Sequence, residues 1–164
     1  MKFIINRELL LVTLQNVSRG LSDKKPFPVL TGIQITVQPH NIVFVTSNKD
    51  VSVQIILEEN NDLQIIETGA CVVPGKHFLE IIKKIEGNEV EFTLFESTTI
   101  KILSNRSDFT LVTYDNSLFP IINFEPREAA THLDAQALKE IIKQTSFAAA
   151  TPEARIVLTS VNFK

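Results

Sequence analysis

The sequence has one cysteine, one methionine, one tyrosine, five glycines and no tryptophan. A single thiol excludes an intramolecular disulfide, and Ala70, Val72 and Val73 around Cys71 predict a buried strand thiol rather than a nucleophile. Three scattered histidines, His40, His77 and His132, do not make a zinc cluster with that cysteine. There is no Gly-rich phosphate loop, no G-x-S-x-G and no H-E-x-x-H. No apolar run approaches the ~20 residues of a membrane span, and Lys2, Arg7 and Glu8 leave no secretory apolar region at the start. A cytosolic chain with no membrane partner, no metal and no cofactor is expected.

What is present is a core. Apolar residues make up 44% and charged residues 21%, the composition of a globular protein. Lys2–Ile5 is short and apolar, Asn6 can cap a helix, and Leu10, Leu14, Val17 and Leu21 recur at helical spacing. Past Pro26 and Pro28, the alternation of Val29, Thr31, Ile33, Ile35 and Val37 predicts a strand. Turns at Pro39–Asn41 and Asn48–Asp50 then separate two more strands, giving the order βαβββ.

The same order returns after the polar break Glu58–Asp62. An apolar strand ends at A-C-V-V, and Phe78, Ile81, Ile82 and Ile85 form the stripe of a second helix that begins after Pro74, with Gly87 as its C-terminal cap. Three strands follow, E-V-E-F-T-L-F, T-I-K-I-L and D-F-T-L-V-T-Y. The fold class expected is α+β, tandem βαβββ units with two helices packed on antiparallel sheet.

A third start follows Pro120 and Pro126. Sliding the chain by 128 residues aligns Asn6 with Asp134, Leu10 with Leu138, Leu14 with Ile142, Ser18 with Ser146, Val29 with Val157, Leu30 with Leu158, Thr31 with Thr159 and Ile33 with Val161. The expectation is one whole domain over residues 1–128 and the opening of a second, cut short, over 129–164, with a strand across Ile156–Phe163.

Charge is distributed unevenly. The net charge is −3. Residues 7–25 and 75–86 carry seven basic residues (Arg7, Arg19, Lys24, Lys25, Lys76, Lys83 and Lys84) against four acidic ones, for +3; the remainder is −6. A helical face of that sign can hold a phosphate backbone but, without base-reading side chains or stacking aromatics, cannot read sequence.

Several segments resemble the bacterial DNA polymerase III beta subunit, the sliding-clamp family, in its Gram-positive branch. They are M-K-F-I-I-N-R-E-L-L, F-P-V-L-T-G-I-Q-I, V-P-G-K-H-F-L-E-I-I-K-K-I, S-D-F-T-L-V-T-Y followed by L-F-P, and Q-T-S-F-A-A-A-T-P-E-A-R-I-V-L-T-S-V-N-F-K. The resemblance implies the DNA-clamp fold and a ring of two three-domain subunits, joined head to tail, with helices lining a channel around duplex DNA. It implies a non-enzymatic processivity factor whose partners are duplex DNA, the polymerase III alpha subunit, the clamp loader and a second copy of itself. By position, Lys24, Lys76 and Lys83 match basic residues that face DNA, with Arg19 and Lys25 beside them. Phe109 and Leu111 match the edge strand of the subunit interface, Arg106 a charged position next to it, and His77 is read as solvated or interfacial. Leu158 matches one wall of the partner pocket. Ile156 and Ser160 stand where the family usually has Pro and Gly, and Asn105 replaces a turn Gly.

Two other readings compete. A shortened clamp relative would act only as a protein-interaction module, presenting Phe109 and Leu111 on an exposed edge. A small enzyme would use His77 with a nearby acid.

Overall fold

Asn6 ends the first strand, β1 (Lys2–Asn6), and starts the first helix, α1 (Arg7–Val17). Its Oδ1 accepts hydrogen bonds from the backbone N–H of Glu8 (2.9 Å) and of Leu9 (3.2 Å), satisfying donors that the first helical turn leaves orphaned. In this computed structural model the residues described are 1–22, 27–125, 132–150 and 156–163. They fall in two compact units, Met1–Phe124 and Glu125–Lys164.

The first unit continues with β2 (Gly32–Val37), β3 (Asn41–Ser47), β4 (Ser52–Glu58), β5 (Leu63–Glu67) and β6 (Gly69–Pro74). Helix α2 (Gly75–Lys84) and β7 (Glu89–Phe95), β8 (Thr99–Ser104) and β9 (Ser107–Val112) complete it. Two antiparallel sheets result, ordered β5-β1-β7-β8-β9 and β4-β3-β2-β6. The two βαβββ halves exchange their leading strands: β1 pairs with β7 of the second half, Phe3 opposite Phe92, and β6 pairs with β2 of the first, Cys71 opposite Ile35. Each half therefore completes the other's sheet.

One core joins both sheets to both helices. Phe3, Leu10, Leu14, Ile33, Ile35, Phe78, Ile82, Phe92 and Ile102 are fully buried within it. Alternation along β2 puts Ile33, Ile35 and Val37 on the same buried face, as a half-buried strand requires. The α1 stripe at Leu10, Leu14 and Val17 and the α2 residues Phe78 and Ile82 are buried as the spacing predicts, with Ile81 half-buried and Ile85 buried just past the helix end.

Four local expectations need correction. Helix α1 stops at Val17 and runs into a 3-10 turn at Ser18–Gly20, so Leu21 lies outside it; the hydroxyl of Thr46 donates to the Val17 carbonyl at 2.6 Å where the helix ends. Residues Pro28–Thr31 form a 3-10 turn rather than the head of β2, closed by the Thr31 hydroxyl donating to the Pro28 carbonyl at 2.6 Å. That turn sends Leu30 into a second apolar cluster with Val45, Val72 and Phe119 instead of the main core. The single strand expected before Pro74 is two, β5 and β6, which join different sheets. They part at Gly69, whose φ of +151° suits glycine and where a Cβ would sit 2.8 Å from that of Met1. Finally, α2 ends at Lys84 with Ile85 already extended, so Gly87 is not its cap but a φ +111° link into β7.

In the second unit, Asp134 caps α3 (Ala135–Thr145), its Oδ1 accepting from the Ala137 N–H at 2.8 Å. An offset of 128 residues carries α1 onto α3, the turn Ser18–Gly20 onto a 3-10 turn at Ser146–Ala148, and Pro28–Thr31 onto a 3-10 turn at Ile156–Thr159. The strand expected across Ile156–Phe163 is thus a 3-10 turn followed by irregular chain among the described residues, since a strand needs a hydrogen-bonded neighbour. Ile142, the counterpart of the fully buried Leu14, is 43% exposed.

Candidate nucleic-acid interface

The two helices that carry the basic residues pack against one another in the first unit. With their stripes turned into the core, α2 leaves Lys76, His77, Glu80, Lys83 and Lys84 exposed, and α1 leaves Glu8, Val12, Gln15 and Asn16. Arg19 is exposed in the turn that follows α1. Lys24 and Lys25 lie outside the described residues.

Geometry redistributes the charge counted along the sequence. Arg7 is not a free surface cation: its Nε donates to the Ile82 carbonyl at 3.1 Å and its Nη2 to the Lys83 carbonyl at 2.8 Å, at the C-terminal end of α2. Those carbonyls have no partner within the helix, and the negative end of the helix dipole favours a cation there. Lys83 is ion-paired with Glu80 at 3.0 Å, one turn back on the same helix. That hydrogen bond and charge hold the Glu80 carboxyl below the usual carboxylate range. Among the described residues, the positive character of the face therefore rests on α2 and Arg19 rather than on α1. The helix dipole alone accounts for part of it, since Lys83 and Lys84 occupy the last turn of α2.

The second candidate surface is β9, the end strand of its sheet. Phe109 stands opposite Ile102 and Leu111 opposite Ile100, both of which are fully buried, so Phe109 and Leu111 extend the core-side face beyond the last ladder. Leu111 is half-buried, and Phe109 is 36% exposed at the rim. Arg106 is exposed in the preceding turn, where Asn105 takes a left-handed φ of +51°. Asn tolerates that region better than other residues with a side chain, which explains why it can stand in for Gly. Lys101 and Asp108 pair across β8 and β9 at 3.0 Å.

His77 is exposed on α2 among the lysines, as its place in the sequence predicts. Leu158 lies in the 3-10 turn of the second unit, 51% exposed, with its carbonyl accepting from the Ala150 N–H at 2.9 Å. The Cys71 thiol is buried, and burial pushes it up to about 12, so it is neutral and unreactive in the folded state. Among the described residues no cluster of three or more His, Cys, Asp or Glu side chains could hold a metal ion, and no helix is long and apolar enough to cross a membrane. Sequence reasoning missed Arg7 as a structural residue. The available signal was a basic residue in the first turn of a helix, where the dipole disfavours it.

The family model of the DNA polymerase III beta subunit, N-terminal domain, matches residues 1–123. The beta sliding clamp of Staphylococcus aureus is 34% identical over an alignment covering 99% of this chain and 44% of that protein. That of Staphylococcus epidermidis is 35% identical with the same coverage. Among solved structures, the sliding clamp of Bacillus subtilis superposes with a TM-score of 0.89 at 29% identity, covering 94% of this chain and 42% of that one. The beta chain of DNA polymerase III from Streptococcus pneumoniae gives 0.90 at 28%, covering 95% and 42%. The chain thus spans less than half the length of the relatives it matches. With three quarters of its residues under the family model and a third of its residues identical to the staphylococcal clamps along nearly its whole length, the chain belongs to the DNA polymerase III beta subunit family.

Proposed function

We propose that this chain is part of a ring-shaped, non-enzymatic clamp, in which α1 and α2 face duplex DNA and β9 meets another subunit. In this reading residues 1–128 form one clamp domain and 129–164 open the next. The observation that carries it is the side-by-side packing of α1 and α2 with Lys76, Lys83 and Lys84 turned outward from a common core. Ammonium groups on flexible stems give long-range, sequence-independent attraction to phosphates without fixed hydrogen-bond registration, the property a sliding contact needs. Arg19, Lys24 and Lys25 would be further phosphate contacts. Polymerase and clamp loader would be the protein partners, with Leu158 contributing to their pocket. A soluble, cytoplasmic setting accords with that role.

The test is duplex binding by the chain across a salt series. A weak affinity whose logarithm falls linearly with the logarithm of salt concentration, independent of base sequence, is the expected result. Binding that ignored salt, or no binding at low salt, would remove the assignment of this face to DNA.

The exposed rim of β9 favours a second reading, a module that binds another protein by strand addition. Duplex-independent capture of a second clamp subunit, abolished at Phe109, would select it.

A further inference from the structure

Arg7 makes three bonds across the junction between the two helices. Its guanidinium donates to the carbonyls of Ile82 and Lys83, and its backbone N–H donates to the Asn88 carbonyl at 2.7 Å. Those acceptors bracket the connection from α2 to β7, and Lys83 and Lys84 stand in the last turn of α2 that leads into it. Arg7 itself opens α1, where a positive charge opposes that helix's own dipole. The placement makes sense only through its partner: the charge disfavoured at the start of α1 is favoured at the end of α2, and the planar fork matches two successive carbonyls.

We propose that Arg7 is the positioning residue of the candidate DNA face, holding the last turn of α2 against the start of α1 so that Lys83 and Lys84 project together toward the duplex. The inference rests on the reading of that face as DNA-binding. It separates Arg7 from the lysines by role: the lysines meet phosphate, and Arg7 fixes where they stand without meeting it.

Arg7→Lys distinguishes position from charge, because an ammonium keeps the charge but cannot supply the two-pronged contact. Duplex affinity of the 164-residue chain is measured across a salt series for the wild type, R7K and R7Q. The expected result is that R7K and R7Q weaken binding alike, by about threefold or more, with a log–log salt slope lower by about one for each lysine that no longer reaches phosphate. In a Lys83→Gln, Lys84→Gln background, R7K should add nothing further, because coupled residues are non-additive. R7K behaving as wild type while R7Q loses slope would make Arg7 a phosphate contact and overturn the proposal. So would R7K and R7Q both binding as wild type.

A measurement on the wild-type chain covers the case in which the variants do not fold. On addition of duplex, the Arg7 Nε–H resonance should stay unshifted and slow to exchange while the amides of Lys83 and Lys84 move. A shifted Arg7 resonance would overturn the proposal. Absence of salt-dependent binding by the wild type would instead sink the DNA reading of the face, an outcome distinct from binding that is indifferent to Arg7.

Discussion

Phe78 of α2 meets Phe92 of β7 edge-on, with ring centroids 5.7 Å apart, while the face of Phe92 stacks on Phe3 of β1 at 4.7 Å. The contact anchors the basic helix to the two strands through which the halves of the first unit interlock. Phe78→Ala should therefore destabilise the first unit by about 3–5 kcal/mol, the range for emptying a fully buried aromatic site. Urea unfolding followed by circular dichroism would measure it. A cost under about 1 kcal/mol would mean that α2 is held mainly by other contacts.

The paired caps predict a graded response. Asn6→Ala removes the acceptor for two backbone donors at the start of α1 and should cost about 1 kcal/mol. Asp134→Ala removes the equivalent bond at α3 and should lower helical content in the second unit without moving the unfolding midpoint of the first. Chemical shifts of the two helices report the effects separately.

Cys71 gives a pH dependence whose sign is fixed. Burial raises its thiol to about 12 in the native state, while the unfolded thiol ionises near about 8.5. Between those values the native chain keeps a proton that the unfolded chain loses. The thiol's contribution is therefore fully present below the unfolded value and falls as pH rises, by up to about 1.4 kcal/mol per unit. Urea unfolding of wild type and Cys71→Ala at increasing alkaline pH should show this slope in the wild type alone. Equal slopes would show that the thiol is not protected.

Removing Glu80 should strengthen the candidate DNA contact. Glu80→Gln frees Lys83 from its ion pair and raises the charge of the face by one, so duplex affinity should rise and the log–log salt slope should steepen by about one. Anisotropy titrations with a labelled duplex would show this. Weaker binding would indicate that Glu80 orders Lys83 for the contact rather than competing with DNA for it.

At the edge strand, Phe109→Ala should leave the fold of the first unit intact, since the ring already stands at the rim, 36% exposed. In a longer chain that forms the proposed ring, the same change should shift the subunit equilibrium toward monomer. Sedimentation velocity would decide, and unchanged dimerisation would remove Phe109 from the interface.

Much of this architecture was legible because it is encoded locally. The caps at Asn6 and Asp134, the stripe at Leu10, Leu14 and Val17, and the stripe at Phe78, Ile82 and Ile85 each need only a few neighbouring residues to be read. The errors arose where a local pattern had two solutions. Val29 and Thr31 alternate with Ile33 as a strand would, but the ring of Pro28 and the Thr31 hydroxyl favour a turn; residues 63–73 read as one strand only if the polar break at Glu67–Gly69 is passed over. The role of Arg7 was invisible for a different reason. Its acceptors lie 75 and 76 residues away, and no pattern along the chain brings Ile82 and Lys83 to it. The positive face was thus read as a sum of charges, whereas the fold gives those charges different tasks.

The exchange of leading strands has a consequence for the order in which the protein is made. Lys2, Phe3 and Ile5 find their partners at Thr93, Phe92 and Val90, and on the other side at Glu67, Ile65 and Leu63. A nascent chain emerging from the ribosome can therefore pair its first strand only with β5 until the second helix and β7 have followed it out, and although the four-stranded sheet can form earlier, the five-stranded sheet cannot close before then. Such long-range pairing slows folding, because loop closure must come before the contacts that reward it. Until β7 emerges, the β7-side edge of the apolar first strand remains available to chaperones, and the first unit is made in two stages, one sheet before the other.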